Sequence, residues 1–139
     1  MPTLFRQWKM KTFSPRGYSL TSLEFKDQVP FEVKRMYYMT HFPEASCTNQ
    51  HCHLLEEEVF IVAQGSIVLV LDRGNGKEDI FLEEGDAVYL SKYVWHGFKN
   101  PSPETVLIAL SSTNYSPDRS DYIEDYDEYL KIRDEKLKV

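Results

Sequence analysis

The sequence predicts an all-β barrel or sandwich followed by one C-terminal helix. Two observations carry this. Short apolar runs recur between turn-forming residues along most of the chain, and in the tail the apolar spacing becomes helical. The aromatic share of 14% agrees with it, since aromatic side chains suit strands and flat-walled pockets.

The elements follow in order. Residues 18–25 and 31–40 are rich in aromatic and apolar residues, and Lys26-Asp27-Gln28-Val29-Pro30 separates them as a turn-like break. Residues 58–63 form a short apolar run ended by Gln64-Gly65, and residues 66–71 form the next strand. Asp72-Arg73-Gly74-Asn75-Gly76 is a strong hairpin signal. Residues 80–82, 87–90 and 106–110 complete the series, with a loop at Asn100-Pro101-Ser102-Pro103. In the tail, Tyr122, Ile123, Tyr126, Leu130 and Leu137 approximate one helical stripe. Asp121, Glu124, Asp125, Asp127 and Glu128 crowd its start, and Lys131, Arg133, Lys136 and Lys138 its end, an order that complements a helix dipole. The acidic run reads as a solvated helix face. The expectation is a single domain over 1–139, with the barrel at about 18–112 and the helical tail at about 118–137.

Composition bounds the partners. There are 16 basic and 22 acidic residues, a net charge of −6. That argues against nucleic acid or an anionic membrane as partner, while leaving room for a local basic pocket. No apolar run approaches a membrane span, and no signal-peptide stretch opens the chain, so a cytoplasmic protein is expected. Cys47 and Cys52 are then reduced thiols. A zinc cluster of Cys47, His51, Cys52 and His53 matches no familiar structural-zinc spacing. On a strand, Cys52 points away from both histidines, as a small buried hydrophobe.

The chemistry concentrates in His51-Cys52-His53, Glu58 and Gly65, and in Gly85, His96 and Asn100. Histidines at i and i+2 of a strand project to one face and can share a metal or a substrate. Together these positions resemble the two motifs of the cupin superfamily. Ser91 and Tyr93 stand where the second motif usually has Pro and Gly, and Ala45 where a glycine precedes the first histidine. The resemblance implies a double-stranded β-helix (jelly-roll) barrel. It also implies a ligand set of His51, His53, Glu58 and His96 in metal-binding members. Three imidazoles and a carboxylate suit several divalent transition metals and do not choose among them.

Further residues are similar to the sugar-nucleotide 3,4-ketoisomerases, which convert a dTDP-4-keto-6-deoxyglucose to its 3-keto isomer. These are Pro30-Phe31-Glu32-Val33-Lys34-Arg35-Met36-Tyr37-Tyr38, the pair Trp95-His96, and Tyr115 with Asp121-Tyr122-Ile123-Glu124-Asp125-Tyr126-Asp127-Glu128-Tyr129. Three departures stand out. Thr48-Asn49 replace an Arg-Gly ahead of the histidines, Glu58 replaces a Gln, and Arg16-Gly17 is displaced by one residue. The first removes a cation from the pocket mouth, and the second completes a metal set.

The resemblance implies a tautomerisation through an enediol, with no cofactor required. His51 is expected as base, His53 as its partner, and Tyr37 as acid or hydrogen-bond donor. Arg35 and His96 are expected to bind substrate, Arg35 at the diphosphate unless it is a surface ion-pair residue. If a metal sits on His51, His53, Glu58 and His96, the histidines are ligands and cannot be free bases. A metal-dependent cupin enzyme acting on another small molecule, or a non-catalytic sugar-binding cupin, are the alternatives. A homodimer paired through sheet edges near 31–39 is expected.

Overall fold

The computed structural model describes residues 3–137, so Lys138 lies outside the described residues. In chain order come β1 (Phe5–Lys9), β2 (Lys11–Phe13), β3 (Leu20–Ser22), α1 (Phe25–Gln28), β4 (Arg35–Met39), β5 (Cys52–His53) and β6 (Glu58–Gln64). Then follow β7 (Ser66–Asp72), β8 (Lys77–Glu83), β9 (Asp86–Leu90), β10 (Trp95–Lys99), β11 (Val106–Ser111), β12 (Tyr122–Ile123) and α2 (Tyr126–Lys136).

Two sheets enclose the core. One runs β1-β9-β6-β11-β4 and the other β10-β7-β8. The pair β12-β5 extends the second sheet, because His51 and His96 exchange backbone hydrogen bonds at 2.9 and 2.8 Å. Strand pleating sorts the side chains with period two. Phe60 and Val62, Val88 and Leu90, Leu107 and Ala109, and Ile67, Leu69 and Leu71 all face inward into one cluster. Val59, Tyr89 and Leu110 face the other way and pack under Val29, Phe31 and Val33. Each large apolar side chain fully buried here contributes about 1.5–3 kcal/mol relative to exposure. The all-β fold with a C-terminal helix is therefore observed, with the jelly-roll arrangement of two facing sheets.

Several boundaries differ from the sequence reading. β1 pairs with β9, so the sheet takes in residues well before 18. The break at 26–30 is partly a single helical turn, α1, ended because Pro30 disfavours the helical region at Val29. The strand at 31–40 begins only at Arg35. β10, unrecognised from its pattern, carries His96 and Phe98 into the core and Trp95 outward. The helix starts at Tyr126 rather than near 118, capped by the Asp125 carboxylate on the Asp127 and Glu128 N–H groups. Tyr122 and Ile123 are strand, and the residue α2 buries is Tyr129, missing from the expected stripe. Tyr129 packs with Cys52 and Trp95, and its hydroxyl donates to the carbonyls of Asp72 and Tyr93.

Two left-handed residues stand at the positions where the motifs have glycine. Ala45 has φ 55° and Tyr93 φ 67°, so the backbone keeps the conformation glycine would favour. Gly65 is a true requirement. At φ +81° it passes so close to Ser102 and Thr105 that a Cβ would lie 2.8 Å from the Thr105 backbone.

Candidate active site

The inward stripe of β6 reads Glu58, Phe60, Val62, and that of β10 reads His96, Phe98. At one end of the barrel these stripes turn polar. Glu58 is 2% exposed and His96 3%. β5 adds His53, 3% exposed, with half-buried His51 just before it, and β4 adds Tyr37. An unpartnered buried charge costs several kcal/mol, so these groups must satisfy one another.

They do so in a fixed pattern. His51 Nε2 lies 3.1 Å from His53 Nε2. His53 Nε2 lies 3.2 Å and His96 Nε2 3.3 Å from Glu58 Oε1. The Tyr37 hydroxyl donates to Glu58 Oε2 at 2.7 Å. The outer nitrogens are tied down: His51 Nδ1 to the Asn49 carbonyl at 3.2 Å, His96 Nδ1 to the Val94 carbonyl at 3.0 Å, and His53 Nδ1 to Asp121 Oδ2 at 3.0 Å. Each of those acceptors requires an N–H, which leaves every Nε2 for the interior.

Charge follows from this. Burial and the neighbouring His96 and His53 push the His51 imidazole down to about 3, so it is neutral. Burial alone would lower His53, but the adjoining Glu58 carboxylate and the charges of Glu56 and Asp121 outweigh it and raise it. Burial would raise Glu58, but the two histidines outweigh it and hold it well below the usual carboxylate range. The approaches to Glu58 Oε1 are ion-pair distances, and among the described residues Glu58 Oε1 and His96 Nε2 have no hydrogen-bond partner. Burial and Glu58 raise the Tyr37 phenol far above its ordinary value, so it stays protonated and donates.

A cleft opens onto this cluster, lined by Tyr37, His51, His96, Phe60 and Phe98, with Thr48 and Asn49 at its side. Thr48 ties the loop to Phe98 through backbone and hydroxyl, and Asn49 orients His51. Among the described residues, no Lys or Arg lines this cleft. Arg35 shares a strand face with Tyr37, its guanidinium 5.2 Å from that ring. It pairs with buried Glu56 at 3.3 Å and faces a neighbouring cleft with Tyr115 and Tyr122. Cys52 points away from the histidines, and burial pushes its thiol up to about 12. Cys47 is exposed, and among the described residues neither cysteine joins a metal-holding cluster.

Three residues at the site were not expected. Asp121 immediately precedes β12 and Tyr122 opens it; Tyr122 pairs in register with His53, and its ring lies 4.6 Å from that of His53. Glu56 receives Arg35 and Thr113. The signal for Asp121-Tyr122 was present in the matched tail segment, but the acidic run hid it as a helix start.

The chain matches known proteins along most of its length. Residues 5–134 match the family described as FdtA: WxcM-like, C-terminal. A TDP-4-oxo-6-deoxy-alpha-D-glucose-3,4-oxoisomerase from Aneurinibacillus thermoaerophilus is 33% identical over 118 residues, 84% of this chain and 83% of that protein. A mutant of the 3,4-ketoisomerase QdtA from Thermoanaerobacterium thermosaccharolyticum, solved in complex with TDP-4-keto-6-deoxyglucose, superposes with TM-score 0.87 at 26% identity, covering 99% of each chain. The rmlC epimerase of Mycobacterium tuberculosis shares the fold alone, with TM-score 0.71 at 14% identity over 86% of this chain and 68% of that one.

Proposed function

Because the chain belongs to the WxcM-like family of sugar-nucleotide 3,4-ketoisomerases, we propose that it isomerises a TDP-4-keto-6-deoxyhexose to the 3-keto sugar at the His51–Tyr37 wall of the barrel. The observation that carries this is the meeting of His51 and Tyr37 at one cleft, with His51 Nδ1 tied to the Asn49 carbonyl so that Nε2 faces the interior.

The C3 hydrogen of a 4-keto sugar is weakly acidic, so its removal needs a placed base and stabilisation of the enediolate. His51 Nε2 takes that hydrogen as a proton. As it does, the His53 proton turns from His51 to Glu58 Oε1, 3.2 Å from the same His53 nitrogen. Negative charge collects on O4, toward which the Tyr37 hydroxyl turns its single proton from Glu58 Oε2. The O3 proton passes to O4 across the enediolate, and His51 returns its proton to C4. The 3-keto sugar and the starting enzyme result, with no net proton gained or lost. His53 thus tunes His51 rather than touching the sugar, since it does not line the cleft that His51 and His96 line. His96 lines the cleft, where its ring faces the substrate.

The same residues suit a divalent transition metal. His51, His53, Glu58 and His96 each offer one ligand atom, all within 4.8 Å of one another, and two of those atoms are buried without a hydrogen-bond partner. Bound there, such an ion would supply Lewis-acid polarisation of a sugar oxygen. It would occupy the His51 lone pair that the proton transfer uses, so isomerisation is assigned to the metal-free cluster.

Elemental analysis of the purified protein, followed by assay on freshly made TDP-4-keto-6-deoxyglucose, tests both statements. Formation of the 3-keto isomer by chelator-treated protein supports them. No isomerisation with or without metal would overturn the functional reading.

A further inference from the structure

We infer that Asp121 is a positioning residue for isomerisation: its carboxylate dictates which nitrogen of His53 bears hydrogen and so aims His53 Nε2 at His51. The inference rests on the reading of His51 and His53 as the proton-moving pair.

The carboxylate sits in a ring of donors. Oδ1 accepts the backbone N–H groups of Leu54 at 3.0 Å and Leu55 at 2.5 Å. Oδ2 accepts that of Glu56 at 3.3 Å and faces His53 Nδ1 at 3.0 Å. Such a carboxylate only accepts, so His53 Nδ1 must present an N–H. The opposite tautomer would set a lone pair against a carboxylate oxygen in a site where Asp121's side chain is 11% exposed and His53's 3%. Glu56 is the nearest competitor, its Oε1 3.8 Å from the same nitrogen, but Arg35 and Thr113 engage that oxygen.

The backbone keeps the arrangement in register. Tyr122 pairs with His53 and Ile123 with Cys52, and the Leu54 N–H also reaches the Asp121 carbonyl at 3.0 Å. Tyr122's ring lies 4.6 Å from that of His53 and 5.0 Å from that of His51, closing the space into which His53 would rotate. With the Nδ1 hydrogen committed to Asp121, Nε2 is the nitrogen left to face His51 and Glu58.

Asp121→Asn separates this from a purely structural role. The position of Oδ1 takes two backbone N–H groups and so selects the amide oxygen. That places the NH2 against His53 Nδ1 and forces that nitrogen to accept. Turnover should fall about 100-fold or more with KM little changed, as when a histidine is held in the wrong tautomer. Two-bond proton–nitrogen spectra of protein carrying nitrogen-15 histidine should show His53 protonated at Nδ1 in the wild type and at Nε2 alone in the variant. A wild-type His53 that is unprotonated at Nδ1 overturns the inference, whether or not the variant folds. So does a folded variant with unchanged turnover, or one that loses turnover while His53 keeps its Nδ1 proton. The ring spectra are read without substrate, so they stand even if the wild type isomerises no TDP-sugar.

Discussion

His51 and His53 face each other through their Nε2 atoms at 3.1 Å, with the rings nearly perpendicular at 87°. Their Nδ1 atoms both carry hydrogen toward fixed acceptors, the Asn49 carbonyl and Asp121. Two bare lone pairs at that distance repel, so the pair holds one extra proton between them. It sits on His53, where two carboxylates flank it, and leaves His51 neutral. Coupled groups of this kind titrate as a unit.

His51→Asn removes the base while keeping polarity and much of the size. Turnover should fall by roughly 100-fold or more, while thermal unfolding changes little because His51 is half-buried at a cleft. Near-wild-type turnover in this variant would remove His51 from the reaction.

The pH profile of metal-free protein should differ from that of an ordinary histidine enzyme. The base must be neutral, a form lost as pH falls through about 3 rather than through 6.5. His53 must be protonated, a form lost as pH rises through a value above 6.5. kcat/KM should therefore show no acid limb near 6.5 and an alkaline limb above it. A fall in rate below pH 7 with a midpoint near 6.5, in protein that remains folded, would contradict the shared-proton arrangement.

Glu58→Gln keeps size and, with its amide oxygen in the place of Oε1, an acceptor for His53 Nε2, but removes the charge. Metal occupancy after identical purification should drop, because a neutral amide is a poorer ligand than a carboxylate. Turnover without metal should stay within about tenfold, the scale of one weakened charge-assisted contact near 1.4 kcal/mol. Parallel loss of metal and of turnover would instead make the ion part of catalysis.

Ala45 is exposed and holds φ 55°. Glycine adopts that conformation without the Cβ clash, so Ala45→Gly should raise stability by about 0.5–1 kcal/mol despite its freer unfolded chain. Denaturant titration with an unchanged slope measures it. Lower stability would mean the turn does not resist alanine.

β4 is an edge strand, and its outward Met36 and Tyr38 are 58% and 64% exposed. Edges of this kind need cover, so we expect a homodimer, and Tyr38→Lys should shift sedimentation toward monomer. A wild-type protein that sediments only as monomer at micromolar concentration would argue against pairing.

The sequence by itself determined the strand-rich barrel, its hairpin at 73–76, and the cluster of His51, His53, Glu58 and His96. Alternation and the spacing of motif residues are local, and both survive folding unchanged. It also placed Tyr37 and Arg35 on one strand face. The tertiary structure decided what those residues face. Arg35 is turned to Glu56 rather than to the histidine cleft, because Glu56 is buried and needs a cation. β5 and β12 hold two residues each, too short for any periodicity, and form only because distant segments meet. That meeting carries Asp121 across 68 positions to His53. A long-range hydrogen bond leaves no period in the chain, so the residue that orients the site had looked like one more acid at the start of a helix.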